Sequence, residues 1–343
     1  MTARPGRRGR IAAAAVVAAV VTGLAGCGGD SSSGSGSSTR RIDVVAFSVV
    51  KSAYDALGEG FEKTPAGKGV SLKGSYGGSG AQSRAVIAGQ KADLVALSLT
   101  PDVDNIVKAG KIDPSWNSGP TKGIVSASVV VLAVRKGNPK NIQGWADLIK
   151  PGVGIVSPDP GTSGGAKWNV LAAYAQALGP NKDKAAATAY LQSFVKNVVS
   201  WNDSARTATD AFLKGTGDVL ISYENEAIAA RAAGVELDYV VPSSTFLIQN
   251  PAAALKDASP VTKDFLAYIQ SDAGQKIFGS NGLRPIDGSP GTVTGVEGAN
   301  DPAKPFPAVQ TLTTVDDLGG WSVVNDEFFD KEKGLVATLR KDG

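Results

Sequence analysis

The residues best suited to bind a ligand lie in three loops rich in glycine and serine, at residues 75–83, 158–169 and 201–207. Each lies next to a short apolar run and leads into a segment with apolar residues three or four apart, a pattern typical of a strand followed by a helix. The first N–H groups of a helix have no partner within it, and the helix dipole makes that end mildly positive. Such loops therefore favour the binding of an anion by uncharged donors.

The candidate donors differ from loop to loop. In the first loop the glycines allow a ligand to approach the backbone, and Ser79 can donate its hydroxyl. In the second loop Ser163 can cap a helix while Gly164 and Gly165 expose their amides. For the first and third loops, a tight turn and an ordinary helix cap remain alternative interpretations.

The second loop has a superficial likeness to a nucleotide-binding P-loop. In that motif a glycine must precede the lysine, and a serine or threonine must follow it to bind magnesium. Here Ala166 stands at the first position and Trp168 at the second. The pattern therefore argues against nucleotide binding.

Enzymatic chemistry has few candidate residues. The sequence has no histidine and one cysteine, which removes the commonest general base and the usual zinc ligands. A secreted hydrolase using Glu224 and Glu226 is the remaining enzymatic alternative, but both acids are better explained as residues that favour a helix N-terminus. We therefore predict a protein that is not an enzyme and that needs neither a cofactor nor a metal.

The N-terminal region indicates export. Four arginines precede an uncharged run over residues 11–26, which is shorter than the roughly 20 residues of a membrane-spanning helix. Leu24-Ala25-Gly26-Cys27 then forms a lipobox, so residues 1–26 are expected to be a cleaved signal peptide and Cys27 a lipid-bearing residue. Residues 27–40 are mostly glycine and serine and predict a flexible tether on the outer face of the cell membrane.

The charge and the length of the chain further limit the class of protein. Without residues 1–26 the chain has 31 basic and 32 acidic residues, and this near-neutral balance argues against nucleic acid as a partner. The body from residue 41 onward alternates short apolar runs with helical patterns, which predicts an α/β fold of two domains. We expect strands at residues 42–50, 70–75, 93–98, 126–134, 154–157, 218–223, 237–241 and 245–249, and helices at 54–62, 165–178, 184–198, 207–214, 225–233 and 261–278.

Several segments together carry a family resemblance. They include Tyr76-Gly77-Gly78-Ser79-Gly80, Ser163-Gly164-Gly165-Ala166-Lys167-Trp168-Asn169, Ser204-Ala205-Arg206, the stretch 217–227 and Leu283-Arg284-Pro285. In these residues and their order the chain resembles the sulfate-binding proteins of bacterial ABC importers, which have the type II periplasmic-binding-protein fold. The resemblance covers nearly all of the chain after Arg41.

The resemblance implies two α/β lobes with a ligand cleft between them. Lobe I would comprise residues 41–127 and the return segment 244–343, and lobe II residues 128–243. The implied ligand contacts are the Ser79 hydroxyl, Ser163, the amides of Gly164, Gly165 and Ala205, an amide at the end of the first strand, and Tyr223. The first-strand amide falls at Val50, with Ser48 and Val49 as alternatives. Tyr223 stands where the family commonly has a tryptophan whose indole reaches the anion.

The expected ligand is sulfate. Sulfate is fully deprotonated at neutral pH and offers only acceptors, whereas protonated phosphate would need an acceptor from the protein. Thiosulfate or another tetrahedral oxyanion such as molybdate is the alternative ligand. The resemblance further implies a monomer that delivers its ligand to an ABC permease and its ATPase. A cell-wall structural protein is disfavoured because the sequence has no repeats.

Overall fold

The computed structural model describes residues 40–341, which alternate strands and helices as the sequence predicted. The strands are β1 Arg40–Phe47, β2 Val70–Gly77, β3 Leu94–Ala96, β4 Ile124–Arg135, β5 Ile155–Pro158, β6 Val198–Asn202, β7 Val219–Tyr223, β8 Leu237–Val240, β9 Ser244–Ala254 and β10 Thr311–Thr313. The signal peptide, Cys27 and most of the tether lie outside the described residues.

In the part of the chain that the structure describes, nine α-helices lie in the connections between these strands, and two more follow β10. They are α1 Lys51–Glu62, α2 Ser79–Ile87, α3 Thr100–Lys108, α4 Gly164–Leu178, α5 Lys184–Lys196, α6 Ala205–Leu213, α7 Glu224–Ala232, α8 Pro260–Gln270, α9 Asp272–Ser280, α10 Gly320–Phe328 and α11 Leu335–Lys341. No helix within residues 40–341 is both long and apolar enough to cross a membrane.

The strands form one mixed sheet in the order β2-β1-β3-β9-β4-β7-β5-β6, with β10 beside β9 and β8 beside β4. On one side of this order, β1 pairs in parallel with both β2 and β3. On the other side, β5 pairs in parallel with both β6 and β7. Each parallel set therefore presents its carboxyl ends, and the helices that follow them, along one edge.

Two long strands connect the parallel sets. The first part of β4 pairs with β9 through Val129, and the next residues, from Val130, pair with β7. In the same way β9 leaves β4 and pairs with β3 over residues 252–254. We call β1–β3 with their helices the first half and β5–β7 with theirs the second half. The lobe boundaries predicted at residues 127 and 244 fall close to these exchanges of partner and stay a prediction.

The first strand is shorter than predicted. It ends at Phe47, and Ser48–Val50 form a 3₁₀ turn that continues directly into α1. Val50 therefore lies at the start of a helix and not at the end of a strand. The predicted helix over 261–278 is two helices, because Ser271 adopts an extended backbone and caps α9 by accepting from the Gly274 N–H.

The C-terminal helices pack against the second half. The Phe328 ring meets Tyr174 of α4 edge to face at 4.7 Å between centroids. Lys167 of α4 donates to Asn325 of α10 at 2.9 Å. Beyond residue 311 the return segment thus contacts α4, whereas Phe265 of α8 packs with Tyr54 of α1.

Candidate functional site

The starts of three helices, α2, α4 and α6, meet where the two halves of the molecule touch. The Ala81 N–H in the first turn of α2 donates to the carbonyl of Thr162, just before α4. A Cβ placed on Gly78 would lie 2.7 Å from the Thr162 oxygen and 2.8 Å from the Asp203 oxygen, just before α6. A side chain at Gly78 would therefore hold the three helix starts apart.

The two glycines of α4 are just as closely packed. A Cβ on Gly164 would lie 2.6 Å from the Ser98 hydroxyl oxygen. A Cβ on Gly165 would lie 3.0 Å from the ring of Tyr223 and 3.6 Å from the Cβ of Ala205. These contacts bring the start of α4 against the start of α6 and the end of β7. Close packing of protein atoms therefore favours glycine at these positions, whether or not a ligand is bound.

Ser163 is the residue just before α4, with an extended backbone, and its side chain makes no capping hydrogen bond to the helix. Ser204 stands at the same place before α6, but its hydroxyl accepts from the Thr207 N–H at 3.2 Å. The Ser204 hydroxyl is thus engaged in capping, whereas Ser163, which is buried, keeps its hydroxyl for another partner.

The Ser79 hydroxyl has two protein partners. It donates to the Asp102 carboxylate at 2.5 Å and accepts the Ser98 N–H at 3.0 Å. Burial raises the pKa of Asp102, and the hydrogen bond from Ser79 opposes that rise. Because a hydroxyl has one proton, Ser79 cannot donate to a ligand while it donates to Asp102. The donor that Ser79 can offer in this structure is its backbone N–H at the start of α2.

Tyr223 ends β7 at the carboxyl edge and is buried. Its hydroxyl lies 2.6 Å from the Ser98 hydroxyl, which also accepts from the Trp168 indole at 2.9 Å. Its ring lies 5.9 Å from that of Phe47, the last residue of β1. Burial raises the pKa of the Tyr223 phenol, so the group remains a neutral donor.

Two pairs of oppositely charged residues lie near these helix starts. Arg206, second in α6, contacts the buried Glu226 at 3.2 Å, and burial raises the pKa of Glu226 to about 6. Arg284 holds both oxygens of Glu224 at 2.6 and 2.8 Å, and both side chains are fully buried. The side chain that contacts the Tyr223 hydroxyl, Ser98, is neutral. No cluster of acids within residues 40–341 could hold a metal ion.

A cavity of about 470 Å³ opens beside these helix starts. Its wall comes from the turn before α1, from α1 itself, from the end of β2 and from the start of α6. The lining residues are Ser48, Lys51, Ser52, Asp55, Tyr76, Gly77, Ser204, Arg206 and Thr207.

Comparison with known proteins agrees with this architecture. The family described as bacterial extracellular solute-binding protein matches residues 42–284. A sulfate-binding protein of Synechococcus elongatus is 40% identical over 94% of both chains. The chain belongs to the sulfate-binding protein family. This confirms the resemblance inferred from the sequence motifs, and the family consists of solute-binding proteins rather than enzymes.

Two further relatives bear on fold and ligand. The solved structure of the sulfate-binding protein SubI from Mycobacterium tuberculosis matches with a TM-score of 0.78 and 39% identity, covering 85% of this chain and all of that one. This match confirms the predicted α/β fold of periplasmic binding proteins. A thiosulfate-binding protein of Escherichia coli is 31% identical over 83% of this chain and 86% of its own.

The structure brings the predicted ligand residues of this sulfate-binding family member to one buried region. Ser79 and Val50 come from the first half, and Ser163, Gly164, Gly165, Ala205 and Tyr223 from the second. Sequence reasoning missed Ser98, Asp102 and the indole of Trp168. Ser98 lies two residues beyond the end of β3, at the carboxyl edge where ligands of α/β sheets usually lie, and this was the available signal.

Proposed function

We propose that this protein captures sulfate outside the cytoplasm and delivers it to the permease and ATPase of an ABC importer, without catalysing a reaction. The observation that carries the proposal is the meeting of the starts of α2, α4 and α6, next to a cavity that the turn before α1 also lines. Free N–H groups at helix starts stabilise an anion through hydrogen bonds and the helix dipole. Relatives named for sulfate binding support the same ligand.

The proposed donors come from both halves. They are the amides of Ser79, Gly164, Gly165 and Ala205, an amide of the turn before α1 at Val50, and the hydroxyls of Ser163 and Tyr223. We replace the Ser79 hydroxyl by the Ser79 amide, because that hydroxyl donates to Asp102. A site of this kind spans both lobes, which we continue to place at residues 41–127 with 244–343, and at 128–243.

Sulfate is favoured over protonated phosphate because the ligand meets donors only. The Asp102 carboxylate accepts from the Ser79 hydroxyl, so we do not count it among the ligand contacts. An unpaired phosphate hydroxyl in a buried site costs about 1–3 kcal/mol. Thiosulfate is the second candidate, supported by the relative that is named for it, and molybdate is a weaker one.

Hydrolysis by Glu224 and Glu226 is disfavoured by their surroundings. Both carboxylates are buried, one against Arg284 and the other against Arg206. Neither reaches a surface where a bond of a substrate and a water molecule could meet.

Calorimetric titration of the purified mature protein against sulfate, thiosulfate, molybdate and phosphate tests the proposal. We expect one sulfate per chain, much weaker binding of phosphate, and a sulfate affinity that changes less than about tenfold between about pH 5 and 8, because no proposed donor titrates there. The absence of sulfate binding, or equal affinity for phosphate, would contradict the proposal.

The lipid anchor is a second part of the proposal. Cys27 would carry the lipid, and residues 27–40 would tether a monomeric binding protein to the outer face of the membrane. Mass spectrometry of the membrane fraction should find an acylated N-terminal Cys27. Native protein that still begins at Met1 and carries no lipid would contradict the lipid anchor but would leave the proposal of sulfate binding unaffected.

A further inference from the structure

Three buried side chains form a continuous row of hydrogen bonds that ends at Tyr223. The Trp168 indole donates to the Ser98 hydroxyl at 2.9 Å, and that hydroxyl lies 2.6 Å from the Tyr223 hydroxyl. The three residues come from α4, from the β3–α3 connection and from β7, and none is more than 1% exposed. The row therefore joins the first half, through Ser98, to the second half.

The chemistry of these groups gives the row a direction. An indole N–H can only donate, so the Ser98 oxygen accepts from Trp168. Among the hydrogen-bond partners of the Ser98 hydroxyl within residues 40–341, only the Tyr223 oxygen can accept its proton. When Ser98 donates in this way, the Tyr223 proton needs a different acceptor. An anion in the proposed site supplies that acceptor.

The backbone of the same residue fixes Ser98 in place. Its N–H donates to the Ser79 hydroxyl, and its carbonyl accepts from Asn250 of β9 at 3.4 Å. The backbone of Ser98 is thus held by Ser79 of the first half and by the connecting strand β9, and its carbonyl also lies 3.3 Å from the Trp168 indole nitrogen. Its hydroxyl contacts Trp168 and Tyr223. A hydroxyl that is fixed in this way can orient its neighbour with little loss of conformational entropy.

We infer that Ser98 is a positioning residue that turns the Tyr223 proton toward the bound anion, with Trp168 fixing the direction of the row. The inference rests on the proposed function and extends it to two residues that need no contact with the ligand. Hydrogen bonds in such a row polarise one another and strengthen the last donor. The Trp168 indole then influences the anion indirectly, through the hydroxyls of Ser98 and Tyr223.

A double-mutant cycle tests this inference. Sulfate affinity is measured by calorimetry for the parent, Ser98→Ala, Tyr223→Phe and the double variant. We expect Tyr223→Phe to weaken binding about ten- to a hundredfold and Ser98→Ala about three- to tenfold. The double variant should bind within about twofold of Tyr223→Phe, because Ser98 acts through the phenol. Ser222→Ala is the matched control, since Ser222 is adjacent, buried and has an unpartnered hydroxyl.

Nuclear magnetic resonance of the indole N–H groups gives a readout that packing alone would not produce. The chain has five tryptophans, and Trp168→Phe assigns the signal. Saturating sulfate should move the Trp168 indole proton downfield in the parent, and this shift should disappear in Tyr223→Phe. This arm leaves Ser98 intact and therefore does not depend on the folding of the Ser98 variant.

The outcomes separate the inference from the proposed function. If the parent binds sulfate and the effects of Ser98→Ala and Tyr223→Phe multiply independently, Ser98 does not act through Tyr223 and the inference is wrong. A sulfate-induced indole shift that persists in Tyr223→Phe overturns it as well. A parent that binds no sulfate refutes the proposed function itself.

Discussion

Ser79 and Ser163 stand at the starts of α2 and α4, in similar glycine-rich loops, yet the two halves of the molecule use their hydroxyls differently. In the first half the Ser79 hydroxyl donates to the buried Asp102 and accepts from the Ser98 backbone. In the second half the Ser163 side chain makes no capping bond to α4. The difference shows that a buried acid behind a serine turns a candidate ligand donor into part of the scaffold.

The buried acids of the two halves differ as well. Asp102 lies directly behind Ser79, whereas Glu226 of the second half pairs with the partly exposed Arg206. One oxygen of Glu226 accepts from Arg206, and the other is buried without a hydrogen-bond partner. We therefore expect replacement of Ser79 in the first half to lower the stability of the fold, and replacement of Ser163 in the second half to weaken ligand binding.

The largest expected effect is that of Ser163→Ala on sulfate binding. A hydrogen bond to a charged ligand contributes about 1.5–3 kcal/mol, so the affinity should fall about ten- to a hundredfold. The melting temperature without ligand should stay close to that of the parent, because Ser163 makes no capping bond. Calorimetry and thermal unfolding measure the two quantities, with Ser128→Ala as the control because its buried hydroxyl has no partner.

Ser79→Ala should show the opposite pattern. Its removal leaves the buried Asp102 carboxylate and the Ser98 N–H without a partner, which lowers the free energy of unfolding by about 1–3 kcal/mol. Sulfate affinity should fall less than about tenfold, because the Ser79 amide is unchanged. Denaturant unfolding and calorimetry test both expectations. A large loss of affinity with unchanged stability would show that the hydroxyl leaves Asp102 to contact the anion.

Glu226→Gln should change the pH dependence of stability. Burial raises the pKa of Glu226 from 4.5 to about 6, so the folded state binds more protons than the unfolded state between these values. The stabilisation is present below about pH 4.5 and is lost as the pH rises through about 6, on the order of 2 kcal/mol. The glutamine of the variant cannot titrate, so the difference in unfolding free energy between parent and variant should shift by this amount across the window. Glu236→Gln, at an exposed position, is the matched control.

Sequence patterns predicted the elements of this fold better than the contacts between them. The apolar runs and glycine-rich loops indicated most strands and the helix starts because both depend on local periodicity. They missed β6, whose residues are mostly half-buried and give no clear alternation, and they also missed α3, β10, α10 and α11. The capping signal of Ser271 was present in the sequence and would have divided the helix over 261–278.

The roles of the hydroxyl groups could not be predicted because they depend on distant residues. Ser98 and Tyr223 lie 125 positions apart, and Ser79 and Asp102 lie 23 positions apart. The sequence showed which side chains can donate, but the acceptors of their protons are set by the packing of α3 and β7 around α4. The Ser79 hydroxyl was therefore a reasonable candidate that the fold assigns to another partner.

A crystal structure of the mature protein with selenate is the most direct test of the central claim, that neutral donors at helix starts hold the anion. Selenate has the geometry and charge of sulfate, and its anomalous signal locates the ligand. We expect it within hydrogen-bonding distance of the amides of Gly164, Gly165 and Ala205 and of the Ser163 hydroxyl, with Ser79 still bonded to Asp102. Selenate bound away from these helix starts, or held by a charged side chain such as Arg206, would contradict the account.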